Sequence, residues 1–274
     1  MPGHRPSLSL RKPDAPGSQR ALVTGASSGI GRAFALTLAA GGTDVVLVAR
    51  RRERLEALAS EVESSHGTRA EILVADLADE QQLRAVERCV ADDARPIDVV
   101  VNCAGFGTHG RFAELPVERE EEEILVNVLA PVRLTRAALP GMIERGRGGI
   151  VNVSSIAAIQ PLPHWATYGA TKAYLTSFSQ AVHEEVRHQG VTVLALMPGF
   201  TRSEFQDRSG SGTRRLPGFV WMAPDDVARS ALDALVRGRA TFVPGLGYRV
   251  FTAVSRVSPW GLARRVVHRA GSRL

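Results

Sequence analysis

The chain has 274 residues, 44% hydrophobic and 23% charged, a length and balance that suit one large globular domain and exclude a disordered polymer. Its 34 basic and 28 acidic residues give a formal charge of +6, but the excess sits at the ends: residues 1 to 20 sum to +3, the residues after Asp233 carry eight Arg and no acid, and the 213 between sum to −5. A basic total spread this way gives a nucleic-acid-binding core no support, and because 32 of the 34 bases are Arg, Lys12 and Lys172 are the only lysines.

The first twenty residues contain four Pro and no apolar core, and read as a disordered basic arm, neither a secretory signal nor an anchor. From Ala21 onward, short β-branched apolar runs alternate with longer amphipathic stretches, the pattern of a doubly wound α/β domain whose parallel sheet is covered on both faces. Strands are predicted at 21–25, 44–49, 71–75, 98–102, 149–153, 191–196 and 240–243, about seven in all. Helices should fill 31–40, 51–64, 79–93, 117–144, 164–188 and 225–237. No run approaches the roughly 18 apolar residues of a spanning helix. Cys89 and Cys103 form neither a disulfide framework nor metal-ligand spacing, which points to a reducing, cytoplasmic setting.

The first strand runs into TGASSGIG at 24–31. A sharp turn needs Gly25, close approach of a pyrophosphate needs a missing side chain at Gly29, and tight helix-on-strand packing favours Gly31, while the helix start offers free N–H groups to an anion. Ser27, Ser28 and Ile30 complete the loop. The spacing is GxxxGxG rather than the commoner GxGxxG, and its context between strand and helix gives it weight. Tyr168 and Lys172, in YGATK, are an i, i+4 pair on one helix face and point into one cleft. Ser155 precedes Tyr168 by 13 residues, just past the fifth strand.

These motifs resemble those of the short-chain dehydrogenase/reductase family over residues 21–243, which implies a Rossmann-type domain and a nicotinamide cofactor. The resemblance places Asp76 and Leu77 beside the adenine and aligns NCAG (Asn102, Cys103, Ala104, Gly105) with the family's NNAG, Cys103 departing from it as a small buried residue. It makes Asn127, Ser155, Tyr168 and Lys172 the catalytic set. It sets Pro198 and Gly199 along the nicotinamide with Thr201 on its carboxamide, and gives Lys172 the ribose and Asn127 a water that relays protons. The chemistry is coherent. Tyrosine titrates near ~10, so a neighbouring ammonium is expected to lower it by about three units, and a serine hydroxyl can stabilise negative charge on a substrate oxygen.

Cofactor choice follows from the end of the second strand, where VLVARRRERL has Ala49 in place of an acid that would bind the ribose hydroxyls. Arg50, with Arg51 second, suits a 2′-phosphate, so NADP(H) is preferred over NAD(H). The competing reading makes Arg51, Arg52 and Arg54 a solvated helix start with Glu53 and Glu56. The Gly-, Ser- and Arg-rich stretch within 200–222, flanked by Phe205 and Phe219, reads as a substrate lid or a plain surface loop, and 156–166, with His164 and Trp165, as the other pocket wall.

Residues 244–274 form a basic amphipathic extension in which Tyr248, Phe251, Val254, Trp260, Leu262 and Val266 alternate with arginines and Pro259 divides two short helices. It packs over its own domain's pocket, on a partner subunit, or peripherally on an anionic membrane. The expected protein is an NADP(H)-dependent oxidoreductase that converts a small-molecule ketone and a secondary alcohol, with a 3-oxoacyl, steroid-like or otherwise lipidic ketone among the candidate substrates. The resemblance implies a homodimer or homotetramer through 117–144 and 164–188. The alternative is a catalytically silent NADP(H)-sensing binding protein on the same fold.

Overall fold

Valine-rich runs too apolar to face water on either side build the centre of the molecule. The computed structural model describes residues 19–205 and 217–257, so the arm to residue 18, residues 206–216 of the segment read as a lid, and residues 258–274, where a second short helix is expected, lie outside the described residues. Seven strands are all parallel in the order β3-β2-β1-β4-β5-β6-β7. They are β1 (Arg20–Thr24), β2 (Asp44–Ala49), β3 (Ala70–Val74), β4 (Val99–Asn102), β5 (Gly148–Val153), β6 (Val191–Leu196) and β7 (Thr241–Phe242). The order reverses between β1 and β4, the switch point at which a doubly wound sheet opens a crevice beyond its carboxyl ends.

The pleat divides the core in two. Val45 and Leu47 of β2 face α1 (Gly29–Ala40), α2 (Arg52–His66) and, across the sheet, Val227, Ala231 and Leu235 of the late helix Pro224–Val236. Val46 and Val48 face the opposite layer, α3 (Glu80–Val90) and the two long helices that follow it. β3 is an edge strand, and none of its residues is fully buried.

The predicted helix over 117–144 is helical throughout but not regular. It comprises α4 (Val117–Ile124), a π-helical turn over Leu125–Leu129, and α5 (Ala130–Glu144). The cause is local. Pro131 has no N–H to offer the carbonyl of Asn127 four residues earlier, and the ladder widens so that Ala130 N–H reaches Leu125 O, an i to i−5 bond. α6 (Ala166–Val186) closes with a 3₁₀ turn over Arg187–Gln189. α7 is Pro224–Val236, and α8 (Leu246–Val257) ends two residues before Pro259. No helix among the described residues is long and apolar enough to cross a membrane.

The described half of the extension packs on its own domain with its polar side inward. Thr252 and Ser255 are buried, whereas Leu246, Val250 and Val254 are exposed. Tyr248 Oη donates to Val220 O at 2.7 Å and accepts from Phe200 N at 3.1 Å, and Gln160 Nε2 donates to Ser255 O at 2.9 Å. The Tyr248 ring lies on Gly199, where a Cβ would stand 2.2 Å from Tyr248 Cζ. Gly199→Ala should therefore destabilise by roughly 1–3 kcal/mol through overpacking. Tyr248→Ala should relieve most of that penalty, and a double-mutant cycle by thermal unfolding measures the coupling.

Candidate active site

One cavity of about 950 Å³ runs over the carboxyl ends of the central strands, lined at one end by the glycine loop and at the other by Trp165, Phe200, Phe205 and Phe251. Gly25 and Gly29 have φ of 68° and 54°, a left-handed backbone that side chains disfavour. A Cβ on Gly25 would lie 2.9 Å from Ala104 Cα, one on Gly29 2.9 Å from Ser203 Cβ, and one on Gly31 2.3 Å from Gly25 O. The loop is thus closed against the backbone of the next crossover and the start of α1. Thr24 ties it down: its Oγ1 accepts from both Cys103 N and Ala104 N at 3.0 Å and donates to Val101 O.

Ser27, Ser28, Ile30, Arg50, Arg51, Asp76, Leu77, Ala104, Gly105, Pro198, Gly199 and Thr201 all line this cleft. Thr201 is buried, with its Oγ1 donating to Gly199 O at 3.1 Å. Asn102 is the exception. The alternation of β4 turns its side chain beneath the cleft floor, where Nδ2 donates to Asn152 Oδ1 at 2.8 Å. The arginines also fall in an order opposite to the expected one. Arg50 reaches toward Asp76 and Glu122 at 3.4 and 3.3 Å, whereas Arg51, at the N-cap of α2, turns back so that Nη2 donates to Ser27 Oγ at 2.9 Å and Ser28 Oγ at 3.2 Å. Its Nη1 meets Glu204 at 2.9 Å, a residue that Arg54 also binds, and Arg54 and Arg51 hold the Glu204 carboxyl down at about 2. A glycine cradle with a guanidinium at its serine corner fits a phosphorylated dinucleotide.

At the other end, the α6 pair stands over Ser155. Tyr168 is hydrogen-bonded by the Ser155 side chain, and Ser155 Oγ also accepts from Ala157 N at 3.1 Å, capping a 3₁₀ turn over Ile156–Ala158. The Lys172 ammonium is 5.7 Å from the Tyr168 ring centroid and donates to Val153 O at 3.0 Å. Asn127 lies behind Gly105, whose missing side chain admits it: a Cβ there would be 2.8 Å from Asn127 Oδ1 and 3.3 Å from Lys172 Nζ. The Asn127 amide accepts from Phe106 N at 3.2 Å and donates to Phe106 O at 2.8 Å and Thr171 Oγ1 at 3.2 Å. Phe205 and Trp165 flank Tyr168 with ring centroids at 5.3 and 5.5 Å. His164 adopts a left-handed φ of 67° and its carbonyl accepts from Gly110 N.

Burial governs the protonation of this pair. Desolvation pushes Tyr168 up to about 12, against the hydrogen bond from Ser155, and pushes Lys172 down to about 8. Burial therefore works against the expected lowering of Tyr168 by Lys172, because both groups have lost water. Desolvation raises Cys103 to about 12 as well, which leaves an inert thiol.

Thr24, Thr171, Glu123 and Glu204 were not singled out from the sequence. Thr24 and Thr171 stand inside quoted motifs, and Glu123 lies one helical turn before Asn127, a spacing visible in the sequence. Nothing in the sequence pairs Glu204 with Arg51 across 153 residues.

A glycine-cradled crevice at a switch point, opening onto a Ser–Tyr–Lys cluster, defines an oxidoreductase of the short-chain type. The chain belongs to the short chain dehydrogenase family, whose model matches residues 19–213. It is 31% identical to a very-long-chain 3-oxoacyl-CoA reductase of Anas platyrhynchos, over 78% of this chain and 68% of that protein. It is 38% identical to a short chain dehydrogenase of Pseudocercospora fijiensis over 67% of this chain, and the match spans 60% of that protein's length. Among solved structures, a short-chain dehydrogenase from Sphingobium yanoikuyae in complex with NADPH shares the fold at a TM-score of 0.79, with 36% identity over 86% of this chain and 92% of that one.

The buried ammonium has a measurable consequence. Its folded pKa lies below the usual 10.5, so the unfolded chain binds the extra proton between about 8 and 10.5, and the penalty is full below pH 8 and fades as pH rises through that window. Lys172→Met should be at least as stable as the parent at pH 7, by up to roughly 3 kcal/mol, with the advantage shrinking toward pH 10.5. Denaturant unfolding at several pH values checks the sign.

Proposed function

We propose that the protein interconverts a ketone and a secondary alcohol with NADP(H), using Tyr168 as the acid/base. The observation that carries this reading is the placement of Tyr168 between the Ser155 hydroxyl and the Lys172 ammonium, at the junction of the glycine cradle and the apolar end of one cavity. A nicotinamide held by the glycine cradle would supply or accept the hydride. Ser155 orients the substrate oxygen and stabilises charge on it, Tyr168 gives or takes its proton, and Lys172 holds the ribose and favours the tyrosinate when charge at the site requires it. Asn127 keeps a path from Lys172 toward solvent. Residues 21–243 make up the catalytic domain, with 200–222 as lid.

Preference for NADP(H) is assigned chiefly to Arg51, whose guanidinium meets the serines of the loop, with Arg50 in a lesser role; the NADPH complex of the Sphingobium relative supports a nicotinamide ligand of this type. A bulky lipidic ketone suits the apolar wall formed by Trp165, Phe200, Phe205 and Phe251, and the resemblance to a 3-oxoacyl-CoA reductase points the same way. The extension from Pro244 is assigned to closing this end of the cleft, since Phe251 contributes to the wall, and the protein is proposed to act as a homo-oligomer. The silent-binder alternative is disfavoured by the complete Ser155, Tyr168 and Lys172 set.

Tyr168→Phe should abolish NADPH oxidation across a panel of ketones while NADPH binding, followed by fluorescence, stays within a few-fold of the parent; turnover near normal would remove the assignment. Arg51→Ala should lower kcat/KM with NADPH by roughly tenfold or more, the scale of a lost charge-assisted hydrogen bond, and leave NADH nearly unaffected. Arg50→Ala should do less.

A further inference from the structure

Beneath the Tyr168–Lys172 pair lies a carboxylate that the proposed chemistry does not use. Glu123 of α4 has 0% exposure. Its Oε2 accepts from Thr108 N at 2.8 Å and Thr108 Oγ1 at 2.7 Å, and Oε1 faces Asn127 Nδ2 at 3.4 Å. One turn earlier Glu120, 7% exposed, accepts from Thr167 Oγ1, and its other oxygen has no hydrogen-bond partner. Burying an acid costs several times what a neutral side chain would, and two such acids lie behind the reacting pair, Glu120 on Thr167 and Glu123 on Thr108 and Asn127.

We propose that Glu123 is a positioning residue for the ketone–alcohol reaction, its buried carboxylate fixing the amide of Asn127 and, through its charge, setting the pH range over which Tyr168 and Lys172 hold their protons. The inference rests on the reading of Tyr168 as the acid/base. Burial pushes the Glu123 carboxyl above the usual carboxylate range, and the two Thr108 donors hold it back; in its ionised form it only accepts hydrogen bonds, so the NH₂ of Asn127 faces Glu123 and its Oδ1 faces Phe106 N. The charge also acts directly. Glu123 raises both Tyr168 and Lys172, since a negative neighbour opposes tyrosinate and favours ammonium. The groups facing this cluster are Glu120 on the same helix, Lys172 and Tyr168 from α6, and the Cys103 thiol from the loop after β4. Thr108 brings no charge, and His109 and His164 reach Tyr168 only by way of Trp165.

The scarcity of lysine makes the test direct, because ¹³C-lysine NMR of the ligand-free protein contains only Lys12 and Lys172, with Lys12 as reference. Glu123→Gln keeps the volume and hydrogen-bonding capacity and removes the charge. It should lower the Lys172 midpoint by half a pH unit or more and move the acid limb of alcohol oxidation to lower pH by a similar amount, with plateau kcat within about threefold. Glu123→Asp, which keeps the charge but disturbs the packing, should leave the midpoint near that of the parent. A folded Glu123→Gln whose lysine midpoint and acid limb both match the parent overturns the proposal, as does a Glu123→Asp that shifts as far as Glu123→Gln. Should Glu123→Gln not fold, Thr108→Val, which loosens the hold on the charge, is expected to shift the midpoint in the same direction, and no shift overturns the proposal equally. Turnover persisting in Tyr168→Phe removes the underlying reading; an inactive Tyr168→Phe with an unshifted Glu123→Gln removes this inference alone.

Discussion

The desolvated ammonium of Lys172 is the constraint around which the site is organised. At 6% exposure it has exchanged water for the carbonyl of Val153 and the neighbourhood of a phenol ring, an arrangement that costs stability unless the surroundings hold it closely. Several features that look unrelated in the chain serve that closeness. Gly105 gives up its side chain where Lys172 and Asn127 converge. Pro131 breaks the regular ladder and leaves a π-turn at Asn127, a distortion of the kind that recurs where a helix contributes to a site. Ser154, next to Ser155, ties the far end of β5 to α6 by donating to Lys172 O at 2.7 Å.

The cofactor end of the cleft obeys a different constraint, that backbones must approach one another. Gly25, Gly29 and Gly31 each stand where a Cβ would collide with a neighbour, and Thr24 uses one hydroxyl to collect two amides from the crossover after β4. The substrate end is closed by chain drawn from afar. Gly199 accepts the face of Tyr248, and the short bridge between Thr201 and Met222 pins together the two ends of the segment that reads as a lid. With its polar residues inward, α8 inverts the usual arrangement of an amphipathic helix. Its Tyr248 hydroxyl and the Ser255 carbonyl satisfy loop groups around the cleft, Thr252 turns back to donate to Arg249 O within the helix, and Leu246, Val250 and Val254 remain outside.

How much of this was legible depended on range. The alternation of short apolar runs with amphipathic stretches located seven strands to within a residue or two: the central ones read as β-branched runs buried on both faces, and the half-buried edges β3 and β7 were placed by the repeat of strand and helix. The i, i+4 spacing placed Tyr168 and Lys172 on one face for the same local reason, and TGASSGIG announced its turn through glycines. The helix over 117–144 was legible, and its π-turn was not: Pro131 displays the missing N–H, but the outcome depended on the alternative bond the turn adopted. The direction of the Asn102 side chain was not legible because its motif lies at the end of β4, where one step of the pleat decides between the cleft and the layer beneath it.

Sequence by itself determined the sheet, the two-layer core, the glycine turn and the placing of Tyr168 and Lys172 on one helix face, since each follows from backbone geometry within a few residues. Tertiary structure decided which arginine meets the loop serines, because Arg50 and Arg51 differ only in the direction they leave β2, and decided that Glu204, 153 residues away, closes on that arginine. It also decided the protonation of the pair: a lysine beside a tyrosine in sequence implies an activated phenol, whereas burial of both shifts them apart, to about 12 and about 8. Desolvation is a property of everything packed around a group, and no local pattern of residues carries it.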